Sequence, residues 1–301
     1  MTHWHGLTDS LQRLLARAHS HVCVLNNPGN AGDALISAGM WRLLGKLPGL
    51  EKQVSSQLRT GSVCIYPGGG NLVPGYEDCA HALAQARDCD IQSFVLLPHS
   101  VKGHAELLRS LDARFHIFCR DRRSYAYARD AAASANVYLS HDLALCLDSP
   151  YLRAQSGAAW QRWLRGFRGL DRGRGLKHYP LWQLRLRAMR SSATGTSIEV
   201  FRGDSESTRP EPAARATHDI SAAFCADGWS REMAPVISFD IIDLLQRFQS
   251  VKTDRLHIGI AGLVAGLDVR FMDNSYGKIS AIYEHSLQGL RERVSIEQAK
   301  A

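Results

Sequence analysis

Arg255 and His257 stand two residues apart where an apolar helix begins, in the run Thr253-Asp-Arg-Leu-His-Ile-Gly-Ile260. The helix is predicted from Ile260, Leu263, Val264 and Leu267, which repeat at i, i+3, i+4 and i+7 and so share one face. Thr253 or Asp254 suits its N-cap, which puts Arg255 and His257 in the first turn. Backbone N–H groups at a helix start attract an anion. A guanidinium adds a forked donor matched to carboxylate or phosphate, and an imidazole moves a proton near neutral pH. Together they describe an anion site with an acid–base group beside it. The chain then repeats the theme: an apolar strand over 267–272, the loop Asp273-Asn-Ser-Tyr-Gly277, and Lys278 opening another helix as a second anion site. A plainer alternative pairs Arg255 with Asp254 or Asp273 and leaves His257 as packing.

Further polar groups follow other short apolar runs. Pro67-Gly-Gly-Gly-Asn71 offers either bare backbone N–H groups to an anion or a tight turn. It is not G-x-x-x-x-G-K-[ST], and no G-x-G-x-x-G opens the first helix, so phosphate-loop and dinucleotide readings lose support. In Arg120-Asp-Arg-Arg-Ser124 consecutive guanidinium groups cannot share one direction; Arg120 is expected to reach the crevice and the others to be solvated. Asn30 and Asp33 follow the first strand, and Asp33 is a helix N-cap or a proton acceptor for a hydroxyl. His99, His141 and Asp142 complete the candidates. No H-x-x-x-H pair or carboxylate cluster has metal-ligand spacing, so no tightly bound metal or cofactor is expected.

The elements that must position these groups alternate. Short apolar strands at 22–25, 62–66, 94–97, 115–119 and 137–139 are separated by helical stretches, one with Ile36, Met40, Leu43, Leu44 and Leu47 on one face. That is an α/β domain on a largely parallel sheet, whose carboxyl-end loops form the binding crevice. A strand at 197–201, a loop over 203–219 and a helix near 239–249 begin a second, smaller α/β unit. The expected division is an N-terminal α/β lobe over 1–150, a connector over 151–195 and a C-terminal lobe over 196–301.

The chain has 301 residues, 45% of them hydrophobic and 22% charged, as in an ordinary globular protein. No apolar run of about 18 residues is present, so no membrane span is expected. No secretory signal is read at the N-terminus, and the seven cysteines form no C-x-x-C pair, which suggests buried free thiols in a reducing cytoplasm. The net charge of +7 is concentrated: from Trp160 to Arg190 nine basic residues meet one acid, Asp171, so this segment is +8 and the remainder −1. That distribution argues against a general nucleic-acid binder. Trp160, Trp163 and Phe167 recur at helical spacing beside arginines, which suits either docking on an anionic membrane or a solvated connector.

Taken together, Asn30-Ala-Gly-Asp-Ala-Leu-Ile36, Gly68-Gly-Gly-Asn71, Leu97-Pro-His-Ser100, Arg120-Asp-Arg-Arg-Ser124, His141-Asp142, Phe201-Arg-Gly-Asp204, Thr253-Asp-Arg-Leu-His257 and Asp273-Asn-Ser-Tyr-Gly-Lys278 resemble the polysaccharide pyruvyl transferase family. The resemblance runs in order over nearly the whole chain, but leaves the basic connector unmatched. It implies two Rossmann-like lobes in a glycosyltransferase-B-like fold. It also implies transfer of the pyruvyl group of phosphoenolpyruvate onto two hydroxyls of a sugar, as a cyclic ketal, with release of phosphate. On this reading Arg120, Arg255, Leu256, Ser275 and Lys278 bind phosphoenolpyruvate, and His257 is the general acid. Asn30, Gly69, Gly70, Asn71 and His99 receive the saccharide, with Asp33 as base. The acceptor would be an exopolysaccharide or capsule precursor, free or polyprenyl-linked, and the enzyme would be cytoplasmic, at the inner face of the membrane when segment 160–190 docks. The alternative is a nucleotide-sugar glycosyltransferase, with Asp204 or Glu206 on the ribose.

Overall fold

The structure is a computed structural model that describes residues 5–16, 21–47, 54–55, 57–168, 174–192, 195–203, 219–273, 277–290 and 292–297. Its strands are β1 (Val22–Val24), β2 (Gly29–Asn30), β3 (Val54–Ser55), β4 (Val63–Tyr66), β5 (Gly69–Leu72), β6 (Ser93–Val101), β7 (Phe115–Cys119), β8 (Asn136–Leu139), β9 (Ser197–Val200), β10 (Cys225–Ala226), β11 (Ser250–Thr253), β12 (Asp268–Met272) and β13 (Val294–Glu297). Its α-helices are α1 (His5–Ala16), α2 (Ala31–Leu44), α3 (Asp78–Asp88), α4 (Ala105–Arg109), α5 (Arg122–Ala131), α6 (Ser149–Ser156), α7 (Ala159–Arg168), α8 (Arg174–Ser192), α9 (Met233–Leu245), α10 (Leu256–Ala265) and α11 (Lys278–Ile282). Two compact units form. One holds Met1–Asn27 and Met40–Leu143; the other holds Pro28–Gly39 and Ala144–Ala301.

The first unit is built on a parallel sheet in the order β3-β1-β4-β6-β7-β8, with β5 added beside β6. Every residue of β4 and β6 is buried. Such strands show no in-out alternation because both faces of a parallel sheet are covered. Phe94 and Phe115 tilt together at 5.6 Å, with Tyr66 stacked 6.4 Å from Phe94, in the middle of the core. The chain places β3 on one side of β1 and β4 on the other, so the winding reverses between β1 and β4. In open parallel sheets ligands bind outside the carboxyl ends of the strands flanking such a reversal; here those ends are followed by Asn26-Asn27 and Pro67–Asn71.

The second unit has a parallel sheet in the order β13-β12-β11-β9, wound steadily in one direction. Residues alternate along it. Ile198, Val200, Val251, Val269 and Phe271 are buried, whereas Ser197, Glu199, Asp268 and Arg270 are exposed. The polar face carries its own ion pairs, Lys252 to Glu297 at 2.9 Å and Arg270 to Glu297 at 3.5 Å. On the apolar face α10 lies very close. A Cβ at Gly259 would fall 2.1 Å from the Phe271 ring, and one at Gly262 would fall 2.7 Å from Val251. Both glycines are therefore required by approach of helix to sheet. A separate antiparallel pair joins β10 to β2, with Cys225 opposite Asn30.

The basic segment expected as a separate connector is instead part of the second unit, folded as α6, α7 and α8. Its hold is a buried carboxylate on α9. Asp240 Oδ2 accepts from Tyr179 Oη (3.1 Å), Trp182 Nε1 (3.1 Å) and Gln183 Nε2 (2.7 Å), while Arg162 approaches Oδ1 at 3.7 Å. Arg162 also lies over the Phe239 ring, 4.8 Å from its centre, and Arg190 pairs with Asp243 at 2.5 Å. Helix α9 begins at Met233, six residues before the sequence reading placed it, because Pro235 is tolerated in a first turn. Among the described residues no helix is long and apolar enough to cross a membrane.

Burial raises the Asp240 carboxyl to about 6, against the partial relief from Trp182, Arg162 and Tyr179. A raised carboxyl holds its proton in the folded state after the unfolded chain has released it. The stability it adds is therefore full below about pH 4 and is lost as pH rises through about 6. Two pH units correspond to roughly 3 kcal/mol. We expect the stability difference, wild type minus Asp240→Asn, to fall by about that amount between pH 4 and 6.5 in urea unfolding. A difference flat across this window would show that Asp240 titrates normally.

Candidate active site

Strand β11 ends at Thr253, and the two residues after it are fixed by local bonds. Thr253 Oγ1 accepts from Arg255 N at 3.0 Å, and Asp254 Oδ1 accepts from Arg202 N at 2.7 Å. These residues were expected to cap α10, but Arg255 itself occupies the N-cap position, and its side chain makes no capping hydrogen bond. Leu256 is the first helical residue and is buried; His257 follows it, half-buried.

Among the described residues the carboxylate hydrogen-bonded to the Arg255 side chain is that of Asp219. Arg255 Nε and Nη2 donate to the two carboxylate oxygens of Asp219 at 3.2 and 2.5 Å. Asp219 is fixed in turn by Gly203 N at 3.3 Å and Ala222 N at 3.2 Å. Asp254 is buried, its Oδ2 meets no hydrogen-bond partner among the described residues, and burial raises its carboxyl above the ordinary range.

The Asn30–Asp33 turn belongs to this same unit, although the sequence placed it in the N-terminal lobe. Asn30 Oδ1 accepts from Gly32 N at 2.8 Å and Asp33 Oδ2 accepts from Asn30 N at 2.8 Å, a reciprocal capping box at the start of α2. A Cβ at Gly32 would lie 3.2 Å from His257 Cβ and 3.4 Å from its Nδ1, so the absent side chain makes room for the imidazole. The Cys225 thiol, opposite Asn30, is raised by burial and then by the nearby carboxylates of Asp33 and Asp219, while Arg255 and Arg185 oppose this. His257, Arg255, Asp219, Asn30, Asp33 and Cys225 therefore form one neighbourhood. Asp33 was expected as the N-cap of α2 or as a base; it lies instead in the first turn of that helix, and its carboxylate accepts from Asn30 N, which precedes the helix.

The second anion site expected at Lys278 is corrected. Helix α11 has five residues, and Asp273 Oδ1 already accepts from Ile279 N and Ser280 N at 3.2 and 3.3 Å. A carboxylate of the chain itself fills that helix start. Lys278 is half-buried; Ser275, Asp204 and Glu206 lie outside the described residues.

In the first unit the strand-end motifs form two networks. At the winding reversal, Tyr66 Oη and Asn71 Nδ2 both donate to Asn27 Oδ1, at 3.0 and 2.8 Å, and Asn27 Nδ2 donates to Gly68 O at 3.2 Å. His99, buried, places Nε2 2.8 Å from Asn71 Oδ1. Gly69 packs beneath, where a Cβ would come within 3.1 Å of Asn27 and 3.2 Å of His99. Gly70 and Asn71 retain partial exposure. Asn27, the hub, was missed from sequence; an asparagine in an Asn-Asn-Pro-Gly loop reads only as a turn residue.

The other network corrects Arg120. Its side chain is wholly buried, with Nη1 2.6 Å from Asp142 Oδ2 and Nε donating to Ser100 Oγ at 2.9 Å, whereas Arg122 and Arg123 are exposed. Asp121 accepts from Ser124 N and Ser124 Oγ, both at 2.7 Å, and Ser124 Oγ accepts from Val101 N. The motifs at 97–100, 120–124 and 141–142 are thus knitted into one support. Removing one partner of a buried ion pair leaves the other uncompensated and costs about 3–5 kcal/mol. We expect Arg120→Ala to lose stability on that scale in denaturant titration, and Arg120→Met with Asp142→Leu to recover much of it. A midpoint unchanged by Arg120→Ala would show the pair to be dispensable.

The sequence profile of the family described as polysaccharide pyruvyl transferase matches residues 30–276. The fold resembles the crystal structure of an uncharacterised protein from Klebsiella pneumoniae subsp. pneumoniae NTUH-K2044, with a TM-score of 0.74, 22% sequence identity and 99% of each chain covered. No curated protein matches the chain.

Proposed function

Since the chain belongs to the polysaccharide pyruvyl transferase family, we propose that it transfers the pyruvyl group of phosphoenolpyruvate to a saccharide as a cyclic ketal, releasing phosphate. The observation that carries this reading is the start of α10, a ten-residue helix with Arg255 at the N-cap position, its side chain making no capping bond, and His257 in the first turn. Phosphoenolpyruvate brings a phosphate and a carboxylate. The helix start suits one anionic group, and the guanidinium suits the other. In the reaction His257 gives a proton to the vinyl CH2, which becomes a methyl group and leaves the central carbon electrophilic. One sugar hydroxyl attacks that carbon and returns its proton to the imidazole. The C–O bond to phosphate breaks, a second hydroxyl closes the ketal, and the last proton leaves with phosphate.

The test is phosphate release from phosphoenolpyruvate with candidate oligosaccharides, with mass spectrometry for the added pyruvyl group minus water. His257→Ala should lower kcat by ~10²–10⁴-fold while binding of phosphoenolpyruvate persists. Retention of more than about a tenth of wild-type kcat would remove His257 as the acid. An incorporation of intact sugar from a nucleotide-sugar would replace the whole reading.

The acceptor we propose is an exopolysaccharide or capsule precursor reached at an anionic membrane surface. What supports the surface is apolar exposure on the basic helices: Trp160 is 67% and Leu164 39% exposed, one turn apart on α7, and Leu181 and Leu184 are 47% and 58% exposed on α8. None of the four belongs to the Asp240 anchor. Several arginines of the segment are already engaged by the protein, Arg165 with Gln155 O and Arg185 with Ala223 O. The apolar residues therefore matter as much as the charge. Vesicle flotation should show binding to anionic and not neutral lipid, weakened by salt and by Trp160→Ser with Leu164→Ser. No flotation at low salt would leave the segment as a structural part of its unit.

A further inference from the structure

Asp219 enters neither the family motifs nor the proton chemistry, yet its carboxylate accepts from both Nε and Nη2 of Arg255. We propose that Asp219 is the positioning residue of the donor site, holding the Arg255 guanidinium in one orientation beside the start of α10. The inference rests on the donor-binding role of Arg255 proposed above.

The geometry is specific. A planar guanidinium bound through Nε and Nη2 to both oxygens of one carboxylate has a single orientation, with Nη1 directed away from that carboxylate. The pair is largely shielded from water, with 11% of the Arg255 side chain and 16% of the Asp219 side chain exposed. Asp219 does not follow Arg255 passively, because Gly203 N and Ala222 N fix its two oxygens independently. Such an anchor removes the rotamer freedom of a long side chain before the ligand arrives.

A carboxylate beside an anion site also repels the anion, so the sign of its effect needs an argument. Asp254, next to Arg255 in sequence, is buried and its Oδ2 has no hydrogen-bond partner among the described residues. The Asp33 carboxylate belongs to the same neighbourhood. A guanidinium released from Asp219 therefore has other carboxylates to collapse onto, away from the helix start. Misplacement then outweighs the relief of repulsion. Asp219 is 36 residues from Arg255, so no local sequence pattern pairs them.

Asp219→Asn keeps the shape and removes the charge, and Asp219→Glu keeps the charge. We expect Asp219→Asn to raise KM for phosphoenolpyruvate about tenfold with kcat changed less than about twofold. Asp219→Glu should recover part of the loss. In an Arg255→Lys background, where the fork is gone, Asp219→Asn should have little further effect. An unchanged or lower KM, or equal effects in the two backgrounds, would overturn the proposal; a lower KM would mean that charge and not orientation dominates. Circular dichroism on each variant limits the comparison to folded protein. Affinity for inorganic phosphate and for phosphoenolpyruvate, measured by calorimetry, separates the two failures. If wild type binds them but forms no ketal, the proposed reaction fails, and the loss or retention of that affinity in Asp219→Asn still decides the role of Asp219.

Discussion

A guanidinium taken out of water must meet a carboxylate, and that constraint governs the strand-end regions of both units. The desolvation of such a charge is large and is repaid only by close, hydrogen-bonded partners. In the first unit Arg120 meets Asp142 with both side chains almost wholly excluded from solvent. In the second, Arg255 meets Asp219 with partial exposure. The difference in exposure separates their uses. A fully enclosed pair holds three loops together and presents nothing outward. A pair at a helix start, with partial exposure, keeps a guanidinium in a set direction beside the first turn of α10.

The starts of α10 and α11 in the second unit differ in how their acids are used. Asp273 reaches back onto the first N–H groups of α11 and fills them. In α10 the corresponding aspartate, Asp254, is turned instead to the backbone of Arg202, and Thr253 to that of Arg255. Two stretches that look alike in sequence, each a strand followed by an acid and a helix, thus differ in whether the acid caps its own helix. Close packing sets the position of α10: Gly259 and Gly262 bring it down onto Phe271, Val251 and Val269, which fixes where Arg255 and His257 begin.

The basic helices follow from a third buried charge. Asp240 draws Tyr179, Trp182, Gln183 and Arg162 to α9, so a segment with excess charge and many aromatics becomes an integral layer of its unit. Composition suggested a connector because composition counts charges without showing which are consumed by a partner.

The sequence by itself determined the α/β class, the parallel strands of the first unit, and the helix that starts at Arg255 and His257, since each depends on short-range periodicity and on the apolar character of buried strands. It also determined the family, through motifs spread along most of the chain. Tertiary structure decided which polar residues face inward. Arg120 and its neighbours Arg122 and Arg123 are indistinguishable in a run of like residues, and only the position of Asp142 turns the first of them into the core. Asp219 on Arg255, Gly32 beside His257 and Asn27 at the hub of the Asn71 network join residues 36, 225 and 44 positions apart. Such pairings leave no local signature, because the free energy of a buried polar contact depends on what the fold brings against it and not on the residues beside it in the chain.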